Sequence, residues 1–86
     1  MTLQNLMVLF LEIANMKYQL DFYEVQGTTE IYRFSKEIVF ANYDLLNNWI
    51  YEYLQTSNIW KNQNMIVKIE TIPTPQKSII FYHAEQ

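Results

Sequence analysis

The stretch from Asn42 to Asn58, NYDLLNNWIYEYLQTSN, constrains the fold more than any other part of the chain. Leu46, Trp49, Ile50, Tyr53 and Leu54 recur at the spacing i, i+3, i+4, i+7, i+8. At about 3.6 residues per turn they form one apolar stripe, and Asp44, Asn47, Asn48, Glu52 and Gln55 fall mostly on the other side. Asn42 is a good N-cap, because its side-chain oxygen can accept a free backbone N–H of the first turn. Asp44 follows within that turn, where the helix dipole favours negative charge. The polar run Gln55-Thr-Ser-Asn58 competes for backbone groups and stops the helix. The pattern predicts an amphipathic helix over about residues 42–57. A stripe holding a Trp, a Tyr and three aliphatic residues needs a large apolar surface opposite it. Most of the remaining chain has strand composition, so that surface is expected to be a sheet. A partner's groove is the competing destination, but a domain this small has few other large helices with which to build a core.

Composition narrows the class. A chain of 86 residues with half of them apolar and 17% charged reads as one folded domain, 1–86, rather than a disordered segment. Such a domain hides roughly 60–65% of its unfolded surface, enough to fold alone with little margin. With no cysteine, disulfides, thiolate catalysis and thiolate metal sites are all out of reach. A cytoplasmic location fits that usage. The net charge is −3 and the basic residues are dispersed, which argues against a generic phosphate-binding surface. Aromatic residues make up 16% of the chain and seven of them are Tyr. Tyrosine suits half-buried strands and binding surfaces alike, being apolar with one polar tip. Many Asn and Gln beside few Ala, Gly and Arg suit an AT-biased genome, such as a phage, a mobile element or an AT-rich bacterium.

Along the chain, residues 1–17 fit a helical stripe through Leu6, Leu9, Phe10, Ile13 and Met16, capped by Thr2. The unbroken run Met7–Leu11 also suits a buried strand. Leu-rich composition favours a helical N-terminal extension, and Met7 and Met16 are alternative starts. The apolar run is about half the ~20 residues that cross a membrane, and Glu12 interrupts it. No positive charge precedes it and no small-residue cleavage site follows, so a signal peptide is not expected. Residues 18–26 alternate as a half-buried strand, with a break at Phe22–Tyr23 that suggests a bulge or a two-sided strand. Gly27, the single glycine, is expected to supply the positive φ of a hairpin turn. Residues 29–34 return, Ser35-Lys36-Glu37 reads as a second turn, and Ile38–Ala41 as a short third strand. Beyond the helix, Trp60 is placed to fold back on its end. Residues 65–72 form a strand, the two prolines of residues 73–76 a hairpin loop, and residues 77–84 a last strand with Ile79, Phe81 and His83 on one face. The expected fold is α+β: a four- or five-stranded, mostly antiparallel sheet with the central helix on one face.

Few residues could carry catalysis. His83 is the only histidine, and alone it builds neither a metal site nor an acid–base pair. One glycine excludes a glycine-rich phosphate loop, and no Gly-x-Ser-x-Gly turn exists. Asp21 and Glu30 could meet across the first hairpin, although carboxylates on strand faces are usually only solvated. Tyr23, Tyr32 and Tyr82, with Arg33, Lys68 and Lys77 around them, could stack single-stranded bases on an open sheet face. The net charge has the wrong sign for that use. Uncovered strand edges, above all a last strand whose only charge at its start is Lys77, offer protein contact or self-pairing instead.

The sequence therefore points to a non-enzymatic protein that needs no cofactor or metal. It is expected to bind another protein, or itself as a homodimer, as a small regulator or inhibitor. Its size and acidity are those common among phage inhibitors of host defence enzymes, an analogy without a motif. The expected contact residues are exposed aromatics: Tyr23, Tyr32, Tyr82 and Tyr51, the last because it lies off the buried stripe. A single-stranded nucleic-acid module using the sheet aromatics is the alternative.

Overall fold

The computed structural model describes residues 16–72 and 75–84. Four strands and one helix follow in the order β1 (Met16–Gln26), β2 (Thr29–Phe40), α1 (Tyr43–Thr56), β3 (Met65–Ile72) and β4 (Lys77–Tyr82). The strands form one antiparallel sheet in the order β2-β1-β3-β4, and α1 packs on one face. β2 and β3 both run antiparallel to β1, so they are parallel to each other with β1 between them. A parallel pair cannot be joined by a tight turn, and α1 is the crossover that links them.

The helix is where the periodicity places it. Leu45 N–H donates to the Asn42 side-chain oxygen at 3.0 Å, the expected N-cap. Leu46, Ile50 and Leu54 are fully buried, with Trp49 and Tyr53 packed beside them. Each aliphatic buried this way contributes about 1.5–3 kcal/mol. Ser57 ends the helix, and its hydroxyl accepts from the N–H groups of Ile59 and Trp60, both at 3.2 Å. That turn carries Trp60 back onto Phe34, ring on ring at 6.0 Å. Under the stripe lie Tyr18, Leu20 and Phe22 of β1, Met65, Val67 and Ile69 of β3, and Ile80 and Tyr82 of β4. Residues two apart share a face of a strand, which is why one set of alternate positions closes the core.

The first hairpin turns on Gly27, at φ +62, with Gln26 opposite Thr29. A Cβ there would meet open space, but the left-handed backbone still disfavours other residues.

Three expectations need correction. The last two residues of the expected N-terminal helix, Met16 and Lys17, belong to β1; residues 1–15 lie outside the described part of the chain. Ser35-Lys36-Glu37 is not a turn, because β2 runs unbroken from Thr29 to Phe40. Each polar side chain of that triplet has a partner in the strand. The Ser35 hydroxyl donates to Asp21, Lys36 sits over the Trp49 ring at 5.3 Å, and Glu37 pairs with Lys17 at 3.0 Å. The register shift expected at Phe22–Tyr23 is present there, and its extra residue comes from the facing strand, β2. Phe22 opposes Phe34 and Tyr23 opposes Tyr32, which leaves Arg33 as the bulged residue. Finally, Tyr82, expected as an exposed contact residue, closes the core with Ile80, while Ile79 and Phe81 share one face as expected, and that face is the exposed one.

The candidate interaction face

The bulge at Arg33 decides which face each β2 aromatic joins. Phe34 turns toward the helix and stacks on Phe22, centroids 4.4 Å apart and planes 9° apart. Tyr32 would share that face in a regular strand. The extra residue turns it to the opposite face, where it meets Tyr23 edge-on at 5.6 Å. The pairings then carry across the sheet: Tyr32 opposes Tyr23, Tyr23 opposes Ile66, and Ile66 opposes Phe81. One apolar row therefore crosses all four strands on the face away from α1. Its two ends are the most open, with Tyr32 54% and Phe81 56% exposed.

Behind this row several charges are answered within the face, and Glu70 and Lys77 stand opposite each other without an ion pair among the described residues. The next row is Ser35, Asp21, Lys68 and Ile79, and the one beyond is Glu37, Gln19, Glu70 and Lys77. Lys68 binds Glu30 at 3.2 Å and lies 4.4 Å from the Tyr23 ring centre. Lys17 binds Glu37, and Asp21 accepts from the Ser35 hydroxyl and from Gln19 Nε2. Exposed ion pairs of this kind add little to folding. Their consequence is that the face can be covered with little uncompensated charge.

Of the four expected contact tyrosines, Tyr23 and Tyr32 come together on this face. Tyr51 is 39% exposed on the far side of the molecule, and its hydroxyl donates to the Phe81 carbonyl at 3.1 Å. Tyr82 is not a surface residue. It is 3% exposed, and its hydroxyl donates to the Lys61 carbonyl at 3.0 Å. The alternation of β4 allows one of Phe81 and Tyr82 to face the core, and Tyr82 has the polar tip that reaches the Lys61 carbonyl. Ile66, Ile79 and Phe81 are the members of the face that sequence reasoning missed. The signal lay in β4 itself: Ile79 and Phe81 share one face, and assigning it outward required the partner of Tyr82.

The face is a poor stacking platform for bases. Lys68 lies over the Tyr23 ring, and Tyr82 lies in the core. Arg33 is engaged with Glu24 at 3.0 Å. Asp21 and Glu30 do not form a carboxylate pair, since Asp21 is tied to Ser35 and Glu30 to Lys68. Among the described residues no cluster of His, Cys, Asp or Glu could hold a metal ion. No helix among them is long and apolar enough to cross a membrane.

Among the described residues, two titrating groups are displaced. Glu24 is buried on the helix side of the sheet, and its carboxyl is held below its ordinary 4.5. The main cause is the Gln26 amide donating to it at 2.6 Å, opposed by burial and aided by Arg33. Burial, with Tyr43 nearby, raises the Tyr18 phenol above its ordinary 10.0.

The chain matches no protein-family model, no curated protein and no solved structure. What the structure defines is a small α+β domain with a four-stranded antiparallel sheet and one helix packed on it.

Proposed function

We propose that the protein acts in the cytoplasm as a small non-enzymatic regulator or inhibitor that binds another protein through the helix-free face of its sheet. The observation that carries this reading is the row Tyr32–Tyr23–Ile66–Phe81, an apolar strip open at both ends, with Asp21 and Lys68 of the adjoining row each tied to a neighbour. Aromatic side chains of this kind are enriched at protein interfaces and supply area at low entropic cost.

The face is favoured over the strand edges. β2 carries the Arg33 bulge and several charges along its edge, and bulges and charges discourage strand addition. β4 is short, and Tyr51 occupies one of its carbonyls.

The test compares tagged wild type with the double variant Tyr32→Ala, Phe81→Glu in pull-downs from nuclease-treated lysate of the source cells. A protein retained by the wild type and lost by an equally stable double variant supports the reading. Retention unchanged by both substitutions overturns it. Sedimentation equilibrium of the purified protein distinguishes pairing with a second copy from binding a different chain. An apolar interface should hold as salt rises, whereas phosphate-driven binding would weaken steeply.

A further inference from the structure

Charges on the face away from α1 are arranged across the strands in a particular order. In the second row Asp21 stands on β1 and Lys68 on β3. In the third row Glu37 stands on β2 and Lys77 on β4, with Gln19 and Glu70 between them. Lys77 and Glu70 have no ion pair among the described residues. Both bonds that Asp21 accepts go to Oδ1, which leaves Oδ2 without a donor among those residues. The face therefore keeps charged groups open to a partner beside an apolar row exposed at both ends.

Resting on the reading of this face as the contact surface, we propose that its occupant is a second copy of the chain, packed sheet on sheet about a two-fold axis that runs along the strands between β1 and β3. Such an axis reverses the strand order, so β1 lies over β3 of the second copy and β2 over its β4. A pure rotation carries no shift along its axis, so each row meets the same row. Tyr32 then meets Phe81 of the second copy, and Tyr23 meets its Ile66. Asp21 meets Lys68, Glu37 meets Lys77, and Gln19 donates to Glu70, each across the axis and each twice. No like charges face one another in the three rows. Lys and Glu side chains are long enough to meet between sheets about 10 Å apart and about 30° askew.

An axis across the strands lacks this match. It sets each strand on its own copy and, centred on the second row, brings Asp21 to Asp21 and Lys68 to Lys68. Like charges so placed oppose association, whereas complementary ones fix the register. Three rows of four residues make a small interface beside the roughly 20–30 residues a side of a standard one. The dimer should therefore be weak, with a Kd on the order of 10 μM.

Sedimentation equilibrium of the purified full chain, from roughly tenfold below to tenfold above that Kd, reads the association. The wild type should approach the dimer mass, and the Tyr32→Ala, Phe81→Glu variant should stay monomeric. Lys77→Glu and Glu37→Lys, both at exposed positions, should each weaken dimerisation by about tenfold or more, because each sets like charges together twice. Mixing these two variants should restore association to near the wild-type level, since each then meets its opposite in the other; a fluorophore on the Lys77→Glu chain reports it. Equal recovery with Glu52→Lys, whose new charge lies on α1, would make net charge the cause and overturn the proposal. So would a dimer that neither substitution weakens, or that mixing does not restore. A monomer at every concentration also overturns it. A lysate protein still lost with the double variant would then keep the face as a contact surface for a different chain, and nuclear Overhauser contacts from residues 1–15 to Phe81 would give it to the chain's own N-terminus.

Discussion

The Tyr51 hydroxyl donates to the Phe81 carbonyl at 3.1 Å, a bond from the helix to the backbone of an edge strand. An edge carbonyl without a partner is a place where another strand can add, and here a side chain occupies it. Tyr51→Phe should cost about 0.5–1.5 kcal/mol, the usual net worth of one hydrogen bond. It should also raise concentration-dependent association, because the freed acceptor lies at the sheet edge. Sedimentation velocity over a range of concentrations, with thermal melts beside it, reads both effects. If neither moves, the bond contributes nothing in solution and β4 is protected by its short length alone.

Tyr82 and Tyr32 separate core from surface. Tyr82→Ala removes a buried ring and leaves the Lys61 carbonyl without its donor. The expected cost is about 3–5 kcal/mol, enough to unfold much of so small a domain. Tyr32→Ala removes an exposed ring that touches Tyr23 and Ser35. Its expected cost is about 1 kcal/mol or less, with any effect falling on partner binding. Urea titrations of the two variants check the contrast. A large loss for Tyr32→Ala would return that residue to the structural core.

The helix and the core strands were legible because their signals are local. The Asn42 cap, the stripe from Leu46 to Leu54 and the alternation of β3 each need only neighbouring residues. What was not legible depended on residues far apart. Ser35-Lys36-Glu37 looks like a turn until Asp21, Trp49 and Lys17 are placed beside it. Tyr23 and Tyr32 were rightly grouped, but the bulge that brings them together is a property of the β1–β2 register. Phe81 and Tyr82 are equivalent candidates for the core until Lys61 appears opposite one of them. The interaction face is thus a product of register, while its composition alone was visible beforehand.

Asn47 is a site of stored instability. Its Oδ1 is buried and has no hydrogen-bond partner among the described residues, while the residue sits within α1. An unsatisfied buried acceptor costs about 1–3 kcal/mol. Leucine is also the better helix former. Asn47→Leu should therefore raise stability by about 1–2 kcal/mol, a shift of several degrees in the thermal midpoint. Asn48→Leu, at an exposed position, serves as the control and should give no comparable gain. An unchanged or lower midpoint for Asn47→Leu would mean that the amide finds a partner, such as water, in solution.

Glu24 makes the fold sensitive to acid. Its carboxyl is held below the ordinary 4.5, first by the Gln26 amide and then by Arg33. A group whose folded pKa is depressed adds stability above its unfolded pKa, and that contribution is lost as pH falls through the folded value. The wild type should therefore lose stability progressively below about pH 4.5. Glu24→Gln should be less stable than the wild type at neutral pH and show a flatter decline in acid, so the two curves converge. Gln26→Ala removes the largest cause of the shift and should reproduce the effect more fully than Arg33→Ala. Urea midpoints from neutral pH to about pH 3 measure this directly. Parallel curves for wild type and Glu24→Gln would show that other carboxylates govern the acid transition.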